Sequence, residues 1–128
     1  MSKKLDKAFD ALLDFALELP GAHEDHPWGE TVVKVNKKVF VFTGRPDQTR
    51  RQLSFSVKLP SSGPFVLDQP YATPTGYGLG KSGWVTLRFT TKELPGLPLL
   101  CEWIEESYRA VAPKKLIKQL DADPSDSA

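Results

Sequence analysis

Two short stretches of this chain constrain its fold more than any others. Residues 52–58 read QLSFSVK and residues 84–90 read WVTLRFT. In the first, Leu53, Phe55 and Val57 alternate with Ser54, Ser56 and Lys58. In the second, Val85, Leu87 and Phe89 alternate with Trp84, Thr86 and Arg88. A period of two sends successive side chains to opposite sides, which only extended backbone does. One apolar side and one polar side is the signature of an antiparallel sheet covered on a single face. The stretch Thr31 to Thr43, TVVKVNKKVFVFT, adds a hairpin bending at Asn36-Lys37, with Val39 and Val41 alternating against Phe40 and Phe42.

Helices flank these strands. Leu5, Ala8, Phe9, Leu12, Leu13 and Ala16 recur at the 3.6-residue period, with Asp6, Asp10 and Asp14 on another side, so 3–19 is an amphipathic helix ended by Pro20-Gly21. Leu100, Trp103, Ile104, Tyr108 and Val111 set a second helix over 97–110. Pro113 opens a last helical turn over Lys114–Leu120. Between the elements, Phe65-Val66-Leu67 is expected to form a helical turn. The loop Pro20–Gly29 is expected to be a structured turn with Trp28 plugging the sheet edge. Gly76–Gly83, GYGLGKSG, lacks the spacing of a phosphate loop and is expected to be a glycine-rich edge strand and turn. The whole describes one α+β domain over residues 1–120, followed by an acidic, disordered tail at 121–128.

The charge is segregated. The chain carries a formal +1, yet residues 31–90 hold nine bases against two acids, while residues 1–30 and 91–128 are net acidic. The nine are Lys34, Lys37, Lys38, Arg45, Arg50, Arg51, Lys58, Lys81 and Arg88. A basic middle between acidic ends suits a polyanion, because phosphate contacts need only positive charge within reach of the backbone. Lysines on a wet sheet face also keep edge strands from aggregating, so the segregation admits a structural explanation as well.

Other chemistry is poorly represented. His23 and His26 form an H-x-x-H pair without a third ligand cluster or a helical H-E-x-x-H context, so no metal is expected. Cys101, the single cysteine, has apolar neighbours and is expected to be a buried, unreactive thiol in a reducing cytoplasm. No serine elbow or dedicated carboxylate pair is present, and neither an enzyme activity nor a cofactor is expected. Asp6, Asp10, Asp14 and Glu18 interrupt every apolar run near the start, so no leader is expected, and no run is long enough to cross a membrane.

Six motifs in order resemble the MmcQ/YjbR family: Leu19–Gly21 (LPG), His26–Gly29 (HPWG), Lys34–Phe40 (KVNKKVF), Leu53–Lys58 (LSFSVK), Gly83–Leu87 (GWVTL) and Ser107–Leu116 (SYRAVAPKKL). Trp28 stands where the family usually has phenylalanine, a conservative aromatic change. The resemblance implies a two-layer α/β domain in the order α-β-β-β-α-β-β-α, similar to secretion-chaperone folds. It also implies a double-wing DNA-binding motif. It carries no catalytic residues. Two roles are therefore expected: weak binding of duplex DNA through the nine bases, or a chaperone-like module that takes up a protein or peptide partner.

Overall fold

A computed structural model of the chain describes residues 3–26, 30–44, 46, 52–76 and 78–122. The elements run α1 (Lys3–Glu18), β1 (Ala22–Asp25), β2 (Thr31–Val35), β3 (Lys38–Gly44), β4 (Leu53–Lys58), α2 (Gly63–Val66), β5 (Ala72–Pro74), β6 (Trp84–Phe89), α3 (Leu97–Val111) and α4 (Lys114–Asp121). The strands form one sheet in the order β1-β2-β3-β4-β6-β5, antiparallel throughout. This is the expected α+β architecture, and the helical turn expected at Phe65–Leu67 is there as α2.

The period-two reading holds in β4 and β6. Leu53, Val57, Leu87 and Phe89 are fully buried, with Phe55 and Val85 at 1% exposure. They join one core with Leu5, Phe9, Leu12 and Ala16 of α1, Val66 of α2, and Leu100, Trp103, Ile104 and Tyr108 of α3. Leu116, Ile117 and Leu120 of α4 pack against the same cluster. The helices thus lie on one side of the sheet. The other side, called the open face below, carries Phe42, Ser54, Ser56, Lys58, Trp84, Thr86 and Arg88, as the cross-strand partners Phe42/Ser56, Ser56/Thr86, Ser54/Arg88 and Lys58/Trp84 require. Trp84 is buried there edge-on against Phe42, ring centroids 5.5 Å apart.

Three features depart from expectation. The loop after α1 contains a strand: Ala22–Asp25 pairs with β2 as an outer edge. Its residues AHED show no apolar alternation because only Ala22 is even partly buried. Trp28, expected to plug this edge, lies outside the described residues. Secondly, the glycine-rich segment is not the edge strand. Leu79–Ser82 forms a 3₁₀ helix between Gly78 and Gly83, at φ 77° and 90°, and the edge is β5 instead. A side chain at Gly80 would stand 2.9 Å from Pro74 Cβ and 3.3 Å from Thr75 O, so glycine lets this turn fold back onto β5. Thirdly, α4 extends into the stretch expected to be a tail. Asp121 closes α4 and is clasped by Arg109, whereas residues 123–128 lie outside the described residues.

The hairpin bends where expected. Asn36 takes the left-handed conformation at φ 57°, which asparagine tolerates better than most residues, and Val35 faces Lys38 across it. The register then slips: Val39 pairs with Lys34, but Val41 pairs with Val33, which makes Phe40 an extra residue. The bulge overrides the simple alternation and puts Phe40 and Val41 together in the core. It also interrupts β3–β4 pairing after Val41/Val57. Ser107 of α3 repairs the gap, accepting the Lys58 N–H at 2.8 Å and donating to the Phe40 carbonyl at 2.6 Å. One buried hydroxyl thus replaces a missing ladder bond.

Candidate nucleic-acid interface

The strand directions decide which bases meet. Antiparallel pairing brings the end of β2, the start of β3, the end of β4 and the start of β6 to one end of the sheet. Lys34, Lys37, Lys38 and Lys58 therefore collect there. Lys81 joins them, since its turn leads into β6 and a Gly83 Cβ would stand 3.9 Å from Lys58 Cγ. Lys37, Lys38 and Lys81 are exposed, and Lys34 and Lys58 are half-buried. Arg88 stands apart on the open face, four residues along β6 from Trp84, or about 13 Å away. Arg45, Arg50 and Arg51 lie outside the described residues. Five of the six described bases are thus gathered, and one is separated.

Two bases beyond those nine belong to the same end. Val35, Asn36, Lys37 and Lys38 share a groove with Ala110, Val111, Ala112 and Pro113, which sets the start of α4 beside the hairpin. The exposed Lys114 and Lys115 follow directly. Sequence alone hid them, because they sit in a segment whose total charge is acidic. The signal was local: two adjacent lysines after a proline that starts a helix.

Acids near this end are engaged. Glu106 accepts the Ser61 and Ser62 N–H groups, both at 2.9 Å, and the Ser62 hydroxyl at 2.5 Å. It thereby ties the turn that leads into α2 to α3. Glu105 and Asp121 both hold Arg109, at 3.1 and 2.6 Å. The bond from Arg109 depresses the Asp121 carboxyl below its ordinary range, and Asp121 and then Glu105 strengthen the guanidinium's hold on its proton. Lys34 meets Asp25 at 2.9 Å, and this hydrogen bond lowers the Asp25 carboxyl. That pair is exposed enough for solvent to screen it, so Lys34 can be drawn to a stronger anion.

The other singled-out groups fall elsewhere. His26 meets Glu24 at 2.8 Å on the exposed β1 edge, and among the described residues no group of three or more His, Cys, Asp or Glu is placed to hold a metal ion. Cys101 is half-buried rather than buried, because its turn of α3 faces Phe15 and Pro98 at the rim of the core. Burial, then the neighbouring Glu105, push its thiol pKa up, which disfavours the reactive thiolate. Among the described residues no helix is long and apolar enough to cross a membrane.

An antiparallel sheet with helices on one face, an open opposite face and lysines massed at one end defines a small α+β domain built around a surface rather than a cleft. The YjbR family model matches residues 17–110, and the chain belongs to the YjbR family. No curated protein matches it.

Proposed function

We propose that this domain binds duplex DNA weakly and without regard to sequence, as a cytoplasmic binding module and not as an enzyme. The observation that carries the reading is the gathering of Lys34, Lys37, Lys38, Lys58 and Lys81 at one end of the sheet beside Lys114 and Lys115. In this reading the β2–β3 hairpin is one wing, carrying Lys37 and Lys38, and the β5–β6 connection with Lys81 is the other. Flexible lysines of this kind contact phosphate and do not read base edges. Neutralising about four phosphates gives a slope near −3.6 for log affinity against log salt, with Kd of roughly 10⁻⁴ to 10⁻⁶ M at physiological salt. The net-acidic helical layer orients the sheet end toward the duplex.

One observation favours a second reading, a partner-binding module: Phe65 is 78% exposed and lines a groove with the exposed Leu99. Fluorescence anisotropy with a labelled duplex at several salt concentrations separates the two. The DNA reading expects affinity to fall with salt and to drop about tenfold or more when Lys37, Lys38, Lys58 and Lys81 are all changed to Ala. Absence of binding at about 50 mM salt, or binding indifferent to salt and to the four substitutions, overturns it and leaves the partner module.

A further inference from the structure

The far end of the open face holds a second, different site. Glu30, Phe42, Gly44, Gln52, Ser54, Ser56 and Arg88 surround a cavity of about 360 Å³ on the side of the sheet away from the helices. Its floor is unusually low. Gly44, Ser54 and Ser56 carry no side chain or a small hydroxyl, and Phe42 rises from the same face as an aromatic wall. Its rims are oppositely charged. Arg88 stands on β6, exposed, its guanidinium Nη1 donating to Thr73 Oγ1 at 3.3 Å. Glu30 hangs over Gly44 on β3, its Oε2 3.6 Å from where a Cβ there would be. Gly44, Ser54 and Arg88 form one row across three strands, so the two charges are separated by about two strand spacings, roughly 10 Å.

We propose that this cavity is a nucleotide subsite. A lone cationic rim would suit any anion, but the carboxylate at the other rim repels a second negative charge. What suits both is a ligand with an anion at one end and a hydrogen-bond donor at the other. A nucleotide has that layout: phosphate on the Arg88 guanidinium and the Ser54 hydroxyl, and the base's outer edge at Glu30. A guanidinium fork matches phosphate geometry. A carboxylate accepts from the exocyclic amine of cytosine or adenine, whereas thymine has no exocyclic amine and offers only its ring N3–H, flanked by two carbonyl oxygens that the carboxylate repels. Phe42 supplies a ring for the base to lie against, a contact every base can make. The bare Gly44 leaves the height that a flat base needs. The shared chemistry is a single unpaired nucleotide, either free or within a strand, since a paired base has neither its face nor its amine available. The subsite does not rest on the duplex reading, which uses the lysine end about 13 Å away.

Backbone amide NMR titrations test it, using deoxycytidine monophosphate, thymidine monophosphate, inorganic phosphate and a single-stranded deoxycytidine hexamer as separate probes. The expected result is shifts at Gly44, Ser54, Ser56 and Arg88, with the cytidine nucleotide binding more tightly than the thymidine one and than phosphate alone. Arg88→Ala and Gly44→Val each weaken it about tenfold, Glu30→Gln erases the preference for cytidine, and Lys37→Ala with Lys38→Ala leaves it unchanged. Binding of the monophosphate at these residues marks a free nucleotide as sufficient. Binding of the hexamer alone at the same residues, still sensitive to Arg88→Ala, marks an unpaired nucleotide in a strand. No shifts at these residues with either probe, shifts indifferent to Arg88→Ala, or phosphate binding as tightly as the nucleotide overturns the proposal. Loss of duplex binding in the lysine variants with this titration intact supports a subsite separate from the lysine end.

Discussion

Leu53, Phe55 and Val57 face the helices and are at most 1% exposed, while Ser54, Ser56 and Lys58, interleaved with them on the same strand, face the other way. The contrast repeats on β6, with Leu87 and Phe89 against Thr86 and Arg88. On the covered face, neighbours across the sheet are apolar, and aromatic rings such as Phe89 and Trp103 stack with centroids 6.0 Å apart. On the open face, apart from the Phe42–Trp84 pair, the neighbours include hydroxyls that bond one another: Ser56 to Thr86 at 2.8 Å and Thr86 to Thr75 at 3.0 Å. Folding free energy is thus concentrated in one set of alternate residues, leaving Ser54, Lys58 and Arg88 of the other set accessible for binding, while Trp84 and Thr86 are buried among their neighbours. Stability and recognition are separable here residue by residue, although they share a backbone.

The sharpest way to break that separation is a cavity on one face and its mimic on the other. Leu87→Ala should cost about 3 kcal/mol, the range for a fully buried leucine, whereas Ser54→Ala should stay within about 0.5 kcal/mol. Urea denaturation of both variants checks this, and comparable losses would abolish the contrast.

Next comes a place where a helix side chain completes the sheet. Ser107→Ala removes both the acceptor for Lys58 N–H and the donor to the Phe40 carbonyl. Two buried backbone groups lose their partner, so the loss should be about 2 kcal/mol, larger than a neutral hydrogen bond alone would give. Slowed amide exchange at Lys58, as in the unmodified protein, would show that the bulge had closed and that the hydroxyl was dispensable.

The smallest expected effect belongs to Asp121→Asn at the end of α4. The lowered pKa of Asp121 means that its pairing with Arg109 stabilises the fold above the ordinary carboxylate range and is lost as the pH falls through the lowered value. Because the pair is exposed, the two proteins should differ barely at neutral pH and converge in acid. A difference that grew on acidification would reverse the sign and point to another group.

Much of the covered face was legible in the sequence because burial imposes a period, and Leu53-Phe55-Val57 and Leu5-Leu12 display theirs openly. What stayed hidden had no period to display. Ala22–Asp25 is an outer strand, so its alternation is nearly all polar. Phe40 is out of phase because a bulge adds one residue, and nothing in KVFVF marks the slip. The basic end was half legible. Charge counting found Lys34 to Lys81, but Lys114 and Lys115 reach the same surface only through the way Pro113 turns α4 beside the hairpin. The Arg88 cavity was less visible still, since it depends on Gly44, Ser54 and Arg88 falling in one row, a matter of register rather than of composition.

The Ser107 bridge also bears on how the chain is made. Ser107 lies 67 residues after Phe40 and 49 after Lys58, so the junction between the two central strands waits for a segment that comes much later in the chain. During synthesis β3 and β4 leave the ribosome long before the helix that closes the gap between them. The nascent sheet therefore spends that interval with a frayed centre and an apolar side that only α1 and α2 can cover, and its completion is tied to the late arrival of α3. Contacts of such long sequence separation slow folding and expose intermediates to aggregation. A chain truncated before residue 107 would contain all six strands and lack the hydroxyl that joins β3 to β4.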